Sequence, residues 1–318
     1  MEKEQSKRER ETIAIEMWNM KVLITGVNGQ VGWELDRRGA QHGFKVLGLD
    51  HADLDITNSN SVDEAIQRAG ISLVVNAAAY TNVDRAESEP ELAFAVNRDG
   101  PAHLASSCAE AEIPLIHIST DYVFDGTRKG PYFETDPISP LGVYGRSKAA
   151  GEAEVEKRVK EHIILRTAWV YGVHGNNFVK TMIRLGNERE ILRVVDDQYG
   201  CPTYAADIAD AIFAIASYIL KGRQIAWGTY HYCGKGATSW HSFAEKIIEL
   251  AREYGPLAVK MVKPISTEEY PAPVKRPANS VLDCSLIGKN FAIQPKAWGE
   301  SLKDMIHRLL VTVHGFTV

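Results

Sequence analysis

The chain has 318 residues, 36 Lys and Arg against 41 Asp and Glu, a formal net charge of -5, and 45% hydrophobic and 24% charged residues. Those values belong to a folded globular chain and exclude a disordered or fibrous one. The mild acidity and the lack of a Lys/Arg run argue against a nucleic-acid partner, and no apolar run approaches the ~18 residues of a membrane-spanning helix.

Residues 1–19 are dense in charge, with Lys3, Lys7, Arg8 and Arg10 against Glu2, Glu4, Glu9, Glu11 and Glu16. They read as a charged N-terminal extension, solvated or arising from an upstream start, and they lack the apolar core of a secretory signal. The fold is expected to begin at Met20. Lys21–Thr25, Lys45–Leu49, Leu73–Asn76, Leu115–Ser119 and Ile163–Thr167 are short runs rich in Val, Ile and Leu, and predict strands. Between them Val62–Ala69 and Glu91–Ala111 predict helices, the first with a capping box at Ser61 and Glu64. Strands alternating with helices predict βαβ units and a parallel sheet, and continuous apolar strands fit a sheet covered on both faces. After Gly172 the rhythm loosens. A helix is expected after Asn177, a strand at Ile191–Val195, a helix at Asp207–Leu220 and a short strand at Tyr230–Cys233. The proline-rich end, with Pro264, Pro271, Pro273, Pro277 and Pro295, predicts loops. The four cysteines, at 108, 201, 233 and 284, form no CxxC pair. They read as isolated thiols of a reducing, cytoplasmic compartment rather than as zinc ligands.

Five groups of residues can carry chemistry. Gly26, Gly29 and Gly32 follow the first strand and open a helix, a spacing that allows a tight turn and aims helix N–H groups at a diphosphate. A plain structural turn is the competing reading. Asp50 ends the second strand 18 residues after Gly32. A carboxylate there accepts hydrogen bonds from ribose hydroxyls and repels a 2′-phosphate, which leans toward NADH over NADPH; a solvated loop residue is the alternative. Asp53, Asp55 and Ile56 are placed to flank an adenine. Asn76–Ala79 and Ser119–Asp121 end two further strands on the carboxyl edge, where parallel sheets bind ligands. Thr120 there can polarise a carbonyl or merely cap a turn. Tyr144 and Lys148 share a helix face, and a nearby ammonium is expected to lower the tyrosine pKa, which suits proton transfer.

Together Gly26-x-x-Gly29-x-x-Gly32, Asn76–Ala79, Ser119–Phe124 and Tyr144-x-x-x-Lys148 resemble the extended short-chain dehydrogenase/reductases. Gly29–Leu35, Val83–Pro90, Arg166–Tyr171, Gly175–Phe178, Asp197–Thr203 and Arg276–Ser280 narrow the resemblance to the dTDP-4-dehydrorhamnose reductase family, over roughly residues 20 to 310. It implies an α/β fold: a Rossmann-like doubly wound parallel sheet with a smaller C-terminal substrate domain. The first domain takes 20–172 plus about 200–234, and the second takes about 173–199 and 235–318. It implies a catalytic trio of Thr120, Tyr144 and Lys148. The cofactor, NADH or NADPH, would touch Gly26, Asn28, Gly29, Gln30, Val31, Gly32, Asp50, Asp55, Ile56, Ala77, Ala78 and Ala79, with Tyr144 and Lys148. The nucleotide-sugar substrate would touch Thr120, Asp121, Trp169, Asn177 and Arg276, with plain core packing of Trp169 and a surface salt bridge at Arg276 as the bland alternatives. The reaction implied is reduction of the 4-keto group of dTDP-4-dehydro-6-deoxy-L-mannose to dTDP-L-rhamnose.

One departure stands out. Some members of the family hold Mg²⁺ at a dimer interface. Glu34 fits one ligand position, but Ala206 falls at the other, with Asp207 beside it. No metal is expected, and a homodimer is left open. Rival readings are another nucleotide-sugar reductase or epimerase, or a non-catalytic binding module. The regulatory subunit of methionine adenosyltransferase, which shares the Tyr122–Thr127 stretch, is such a module.

Overall fold

The computed structural model describes residues 20–67, 70–270 and 273–313. The charged extension expected at 1–19, the end of the helix expected to reach Ala69, and Pro271 lie outside the described residues. In chain order the first half holds β1 (Lys21–Thr25), α1 (Gln30–Arg38), β2 (Lys45–Leu49), α2 (Ser59–Gln67), β3 (Ile71–Asn76), α3 (Gly100–Glu110), β4 (Leu115–Thr120), α4 (Val143–Arg158) and β5 (His162–Thr167). The second half holds α5 (Phe178–Glu188), β6 (Ile191–Val195), α6 (Ala205–Leu220), β7 (Gly228–His231), α7 (Trp240–Ala251), β8 (Met261–Ile265), α8 (Ser285–Phe291) and α9 (Trp298–Val313).

Six strands form one sheet in the order β7-β5-β4-β3-β1-β2, and every pair is parallel. The near-continuous apolar strands are explained by cover on both faces. Val22, Ile24, Leu73, Val75 and Ile163 pack on one side with Leu35 of α1 and Ile208, Ile212 and Phe213 of α6. Leu23, Val74, Leu115 and Ile164 pack on the other with Val62 of α2, Leu104 of α3 and Val155 of α4. The chain leaves β1 for β2 on one side and returns to β3 on the other. The carboxyl ends of β1 and β3 therefore flank a switch point, where parallel sheets open a crevice. A separate core gathers Val179 and Ile183 of α5, Leu192 and Val194 of β6, Phe243 and Ile247 of α7, and Leu302 and Ile306 of α9.

Several local expectations are corrected. α2 begins at Ser59, and its Ser61 N–H is met by the side chain of Asn58 at 3.3 Å, so Ser61 is not the cap. The single helix expected over Glu91–Ala111 is interrupted by a π turn at Ala95–Asp99. There the buried Asn97 amide bonds both backbone groups of Tyr80 and the Ser147 hydroxyl, tertiary contacts that local spacing does not carry. α8 packs with the sheet and not with the second core: its Phe291 lies edge-on to Tyr218 of α6 and Tyr230 of β7. All four cysteines are free, and three of them, unlike Cys108, are not isolated. Cys233 and Cys284 bring their sulfurs to 3.6 Å, and Cys201 packs in the same buried cluster. No helix among the described residues is long and apolar enough to cross a membrane.

Candidate active site

Two adjoining cavities of about 540 and 560 Å³ open over the carboxyl edge of the sheet and share Asn28, Gly29, Ala77 and Ala79. The glycine loop forms the seam between them. Gly26 has φ +69°, and a Cβ there would strike the Ala78 backbone. A Cβ on Gly32 would collide with the Gly26 carbonyl, so the third glycine serves the packing of α1 on its own loop. Gly29 begins α1 with no side-chain cap, which leaves first-turn N–H groups without the usual acceptor.

The second cavity takes Gly26, Asp50, Asp55, Ile56 and Ala77–Ala79 of the residues expected to hold a cofactor. Asp50 accepts from Asn28 Nδ2 at 2.6 Å and from the Ala52 and Asp53 N–H groups, so β2 ends in an anchored carboxylate. Asp55 is engaged by the N–H and hydroxyl of Thr57. Gln30 and Val31 line the first cavity. Gln30 also bridges toward the second core, with its Nε2 3.5 Å from the Val170 carbonyl and its Oε1 accepting from Asn177.

The first cavity brings Thr120, Asp121, Tyr144, Lys148 and Trp169 together. Thr120 and Asp121 sit where β4 ends, and Tyr144 and Lys148 lie one turn apart on α4. Burial pushes Tyr144 up to about 12, opposed by its interaction with the Thr120 hydroxyl. Burial outweighs the lowering expected from Lys148, whose Nζ lies 2.7 Å from the Ile118 carbonyl. Burial pulls Lys148 down to about 8, with Glu152 one turn on opposing it. Burial pushes Asp121 up to about 6, opposed by the Ser280 hydroxyl and by Thr120, which donates to its Oδ1 at 3.1 Å.

Three buried oxygens lining this cavity have no protein partner: Ser119 Oγ, Asp121 Oδ2 and Thr167 Oγ1. Ser119 and Thr167 carry no assigned role in the sequence reading. The signal was present in the register, since Thr167 ends β5 directly beside Thr120, but register becomes visible only once the strands are paired. Trp169 has one indole face covered by Trp240, with ring centres 3.5 Å apart, so stacking on a ligand is limited to the other. Asn177 does not line the cavity. It caps α5 by accepting from the Lys180 N–H and donates to Gly172, and its neighbour Asn176 is the lining residue. Arg276 also lies outside the lining; it reaches Asp84 at 3.2 Å and keeps a buried, unpartnered Nε.

Residues 20–311 match the RmlD substrate binding domain family. A dTDP-4-dehydrorhamnose reductase of Aggregatibacter actinomycetemcomitans is 45% identical over 90% of this chain and 98% of its own length. The chain belongs to the dTDP-4-dehydrorhamnose reductase family. Among solved structures, the dTDP-4-dehydrorhamnose reductase of Clostridium acetobutylicum superposes with a TM-score of 0.85 at 40% identity, covering 91% of this chain and 99% of that one. The Bacillus anthracis enzyme, in complex with NADP, gives 0.84 at 38% identity over 91% of this chain and 99% of its own. The extended short-chain dehydrogenase/reductase fold and the oxidoreductase class read from the motifs are borne out.

The acidic positions that raised the question of Mg²⁺ are both engaged within this chain, with Glu34 Oε2 left without a partner. Glu34, buried, has its Oε1 3.4 Å from Arg308 Nη1, and Asp207 is held by Lys296 at 2.7 Å and by the Ser301 hydroxyl. Both carboxylates already face cations of this chain in this reductase. Among the described residues no group of three or more His, Cys, Asp or Glu is placed to hold a metal.

Proposed function

We propose that this chain reduces the 4-keto group of dTDP-4-dehydro-6-deoxy-L-mannose, the sugar nucleotide occupying the first cavity and a reduced nicotinamide dinucleotide running from it into the second. The convergence of Thr120, Tyr144 and Lys148 with three unpartnered buried oxygens, in a cavity continuous with the glycine-loop groove, carries this reading. The dinucleotide, when bound, supplies the hydride. Gly26–Gly32 would hold its diphosphate, Asp50 its adenosine ribose and Lys148 its nicotinamide ribose. Tyr144 holds its proton across the working pH range and gives it to the carbonyl oxygen. Thr120, hydrogen-bonded to Tyr144, keeps that hydroxyl aimed at the same oxygen. Asp121 Oδ2, Ser119 and Thr167 orient the sugar through its hydroxyls. The test is consumption of NADH or NADPH on adding a panel of nucleotide sugars that differ only in base or in sugar stereochemistry. Turnover confined to the dTDP-6-deoxy-4-keto sugar supports the reading; turnover with a different sugar only replaces the substrate.

The adenosine end favours NADH. A 2′-phosphate would meet the carboxylates of Asp50 and Asp55, and no Lys or Arg lines that cavity. Asp50→Ser is expected to shift the NADPH-to-NADH ratio of kcat/KM toward NADPH by roughly tenfold, equivalent to ~1.4 kcal/mol. An unchanged ratio would remove Asp50 from cofactor choice.

Asp121 exchanges stability for binding. Its pKa is raised from 3.8 to about 6, so the folded state holds the proton more tightly than the unfolded chain. Its contribution to stability is full below the ordinary carboxylate value and is lost as pH rises through about 6. Asp121→Asn is therefore expected to raise the melting temperature at neutral pH. It is also expected to raise KM for the sugar nucleotide about tenfold, through loss of a charged acceptor. Calorimetry and steady-state kinetics on one preparation check both signs.

A further inference from the structure

We propose that His117 is a positioning residue, locked by Asn76 into the tautomer that aims its Nε2–H at the Lys148 amine, and that it thereby promotes loss of a proton from Lys148. The chain of donors and acceptors leaves little freedom. The Ala78 N–H can only donate, and it donates to Asn76 Oδ1 at 3.1 Å, where the Thr25 hydroxyl also donates at 2.7 Å. The other end of that amide, Nδ2, can only donate. It lies 3.0 Å from His117 Nδ1, its register partner across β3 and β4. Nδ1 must therefore accept, and a neutral ring then carries its hydrogen on Nε2.

Nε2 faces Lys148 Nζ at 3.5 Å. An ammonium has three donors and no acceptor, so an N–H pointed at it is opposed to it, while a neutral amine can receive the bond. The distances agree. Nζ sits long from the ring nitrogen and short, at 2.7 Å, on the Ile118 carbonyl. His117 is completely buried and its pKa is held well below the ordinary value by that burial and by Lys148, so the ring stays neutral. The other ionisable groups around Lys148 are Tyr144 and Glu152 on its own helix, Arg166 of β5 paired with Glu152, and Asp121 beside Tyr144. Glu152 acts to keep the ammonium, and His117 with burial acts against it. Loss of a proton from Lys148 then contributes to the alkaline limb of activity. This last consequence rests on the reductase reading; the tautomer does not.

Nitrogen-15 spectra of imidazole-labelled full-length protein read the tautomer directly, and carbon-13 labelling at lysine Cε reads the titration of Lys148, neither requiring turnover. The expected wild-type spectrum has Nε2 protonated and Nδ1 bare. In His117→Leu the opposing N–H is gone. In Asn76→Asp a carboxylate accepts from Nδ1–H, which turns the Nε2 lone pair toward Lys148. Both variants are expected to move the Lys148 midpoint upward by about one pH unit, with the alkaline limb of kcat/KM following. His117 protonated at Nδ1 in the wild type overturns the proposal. So does a midpoint unmoved in either folded variant; if His117→Leu does not fold, Asn76→Asp and the wild-type spectrum decide. Absence of turnover with every keto sugar would overturn the reductase reading and leave both spectra interpretable.

Discussion

Tyr144→Phe is expected to lower kcat by about 10²–10⁴-fold, the usual worth of a positioned proton donor, and to leave dinucleotide binding intact. The change removes one oxygen and keeps the ring, which packs edge-on against Tyr122 at 5.6 Å. Fold and cavity shape are therefore retained. The oxygen removed is the one that Thr120 hydrogen-bonds. Because burial pushes Tyr144 up to about 12, the hydroxyl keeps its proton at neutral pH, the state that the proposed proton donor requires. Single-turnover kinetics with dinucleotide and keto sugar separate binding from chemistry. Wild-type turnover in this variant would take Tyr144 out of the mechanism.

Loss of the Glu152 carboxylate is expected to have the largest effect on stability. Glu152 accepts two parallel hydrogen bonds from Arg166, at 2.9 and 2.7 Å, with side chains 4% and 6% exposed. The guanidinium also lies over the Phe124 ring at 5.3 Å, and its Nη1 already lacks a partner. In Glu152→Ala an unpaired cation is left buried beneath the active-site edge of the sheet. Removing one member of such a pair costs about 3–5 kcal/mol. Glu152→Ala with Arg166→Leu is expected to recover much of that loss, because two apolar side chains leave no charge to solvate. Urea unfolding of the two variants checks both numbers. A loss below about 1 kcal/mol for the single variant would mean that the buried Arg166 finds water or another acceptor.

Most of the sheet was legible because its strands are short, apolar and separated by amphipathic helices; β1, β2 and β6 fall on the expected residues without adjustment. The Tyr144–Lys148 spacing and the glycine loop were legible because helix and turn geometry are local. What local pattern could not carry is which groups meet across the chain. The role of Gly32 comes from a contact with the Gly26 carbonyl. The Ser119 and Thr167 hydroxyls face the cavity through strand register, and the direction of Lys148 is set by a carbonyl on another element. Asn177 was expected to touch the substrate; in the structure it caps α5, through a bond to the Lys180 N–H. The three clustered cysteines come from separate loops and strand ends, so sequence spacing made them look solitary.

The central claim is hydride delivery to a sugar ketone with Tyr144 supplying the proton. It is tested most directly by incubating the protein with dTDP-4-dehydro-6-deoxy-L-mannose and dinucleotide deuterated at the transferable position, then locating the label by NMR. Deuterium on C4 of a dTDP-6-deoxy sugar, formed by the wild type and not by Tyr144→Phe, is the expected result. Dinucleotide that binds yet leaves the sugar unlabelled and still a ketone would contradict it and point to a binding module built on the same fold.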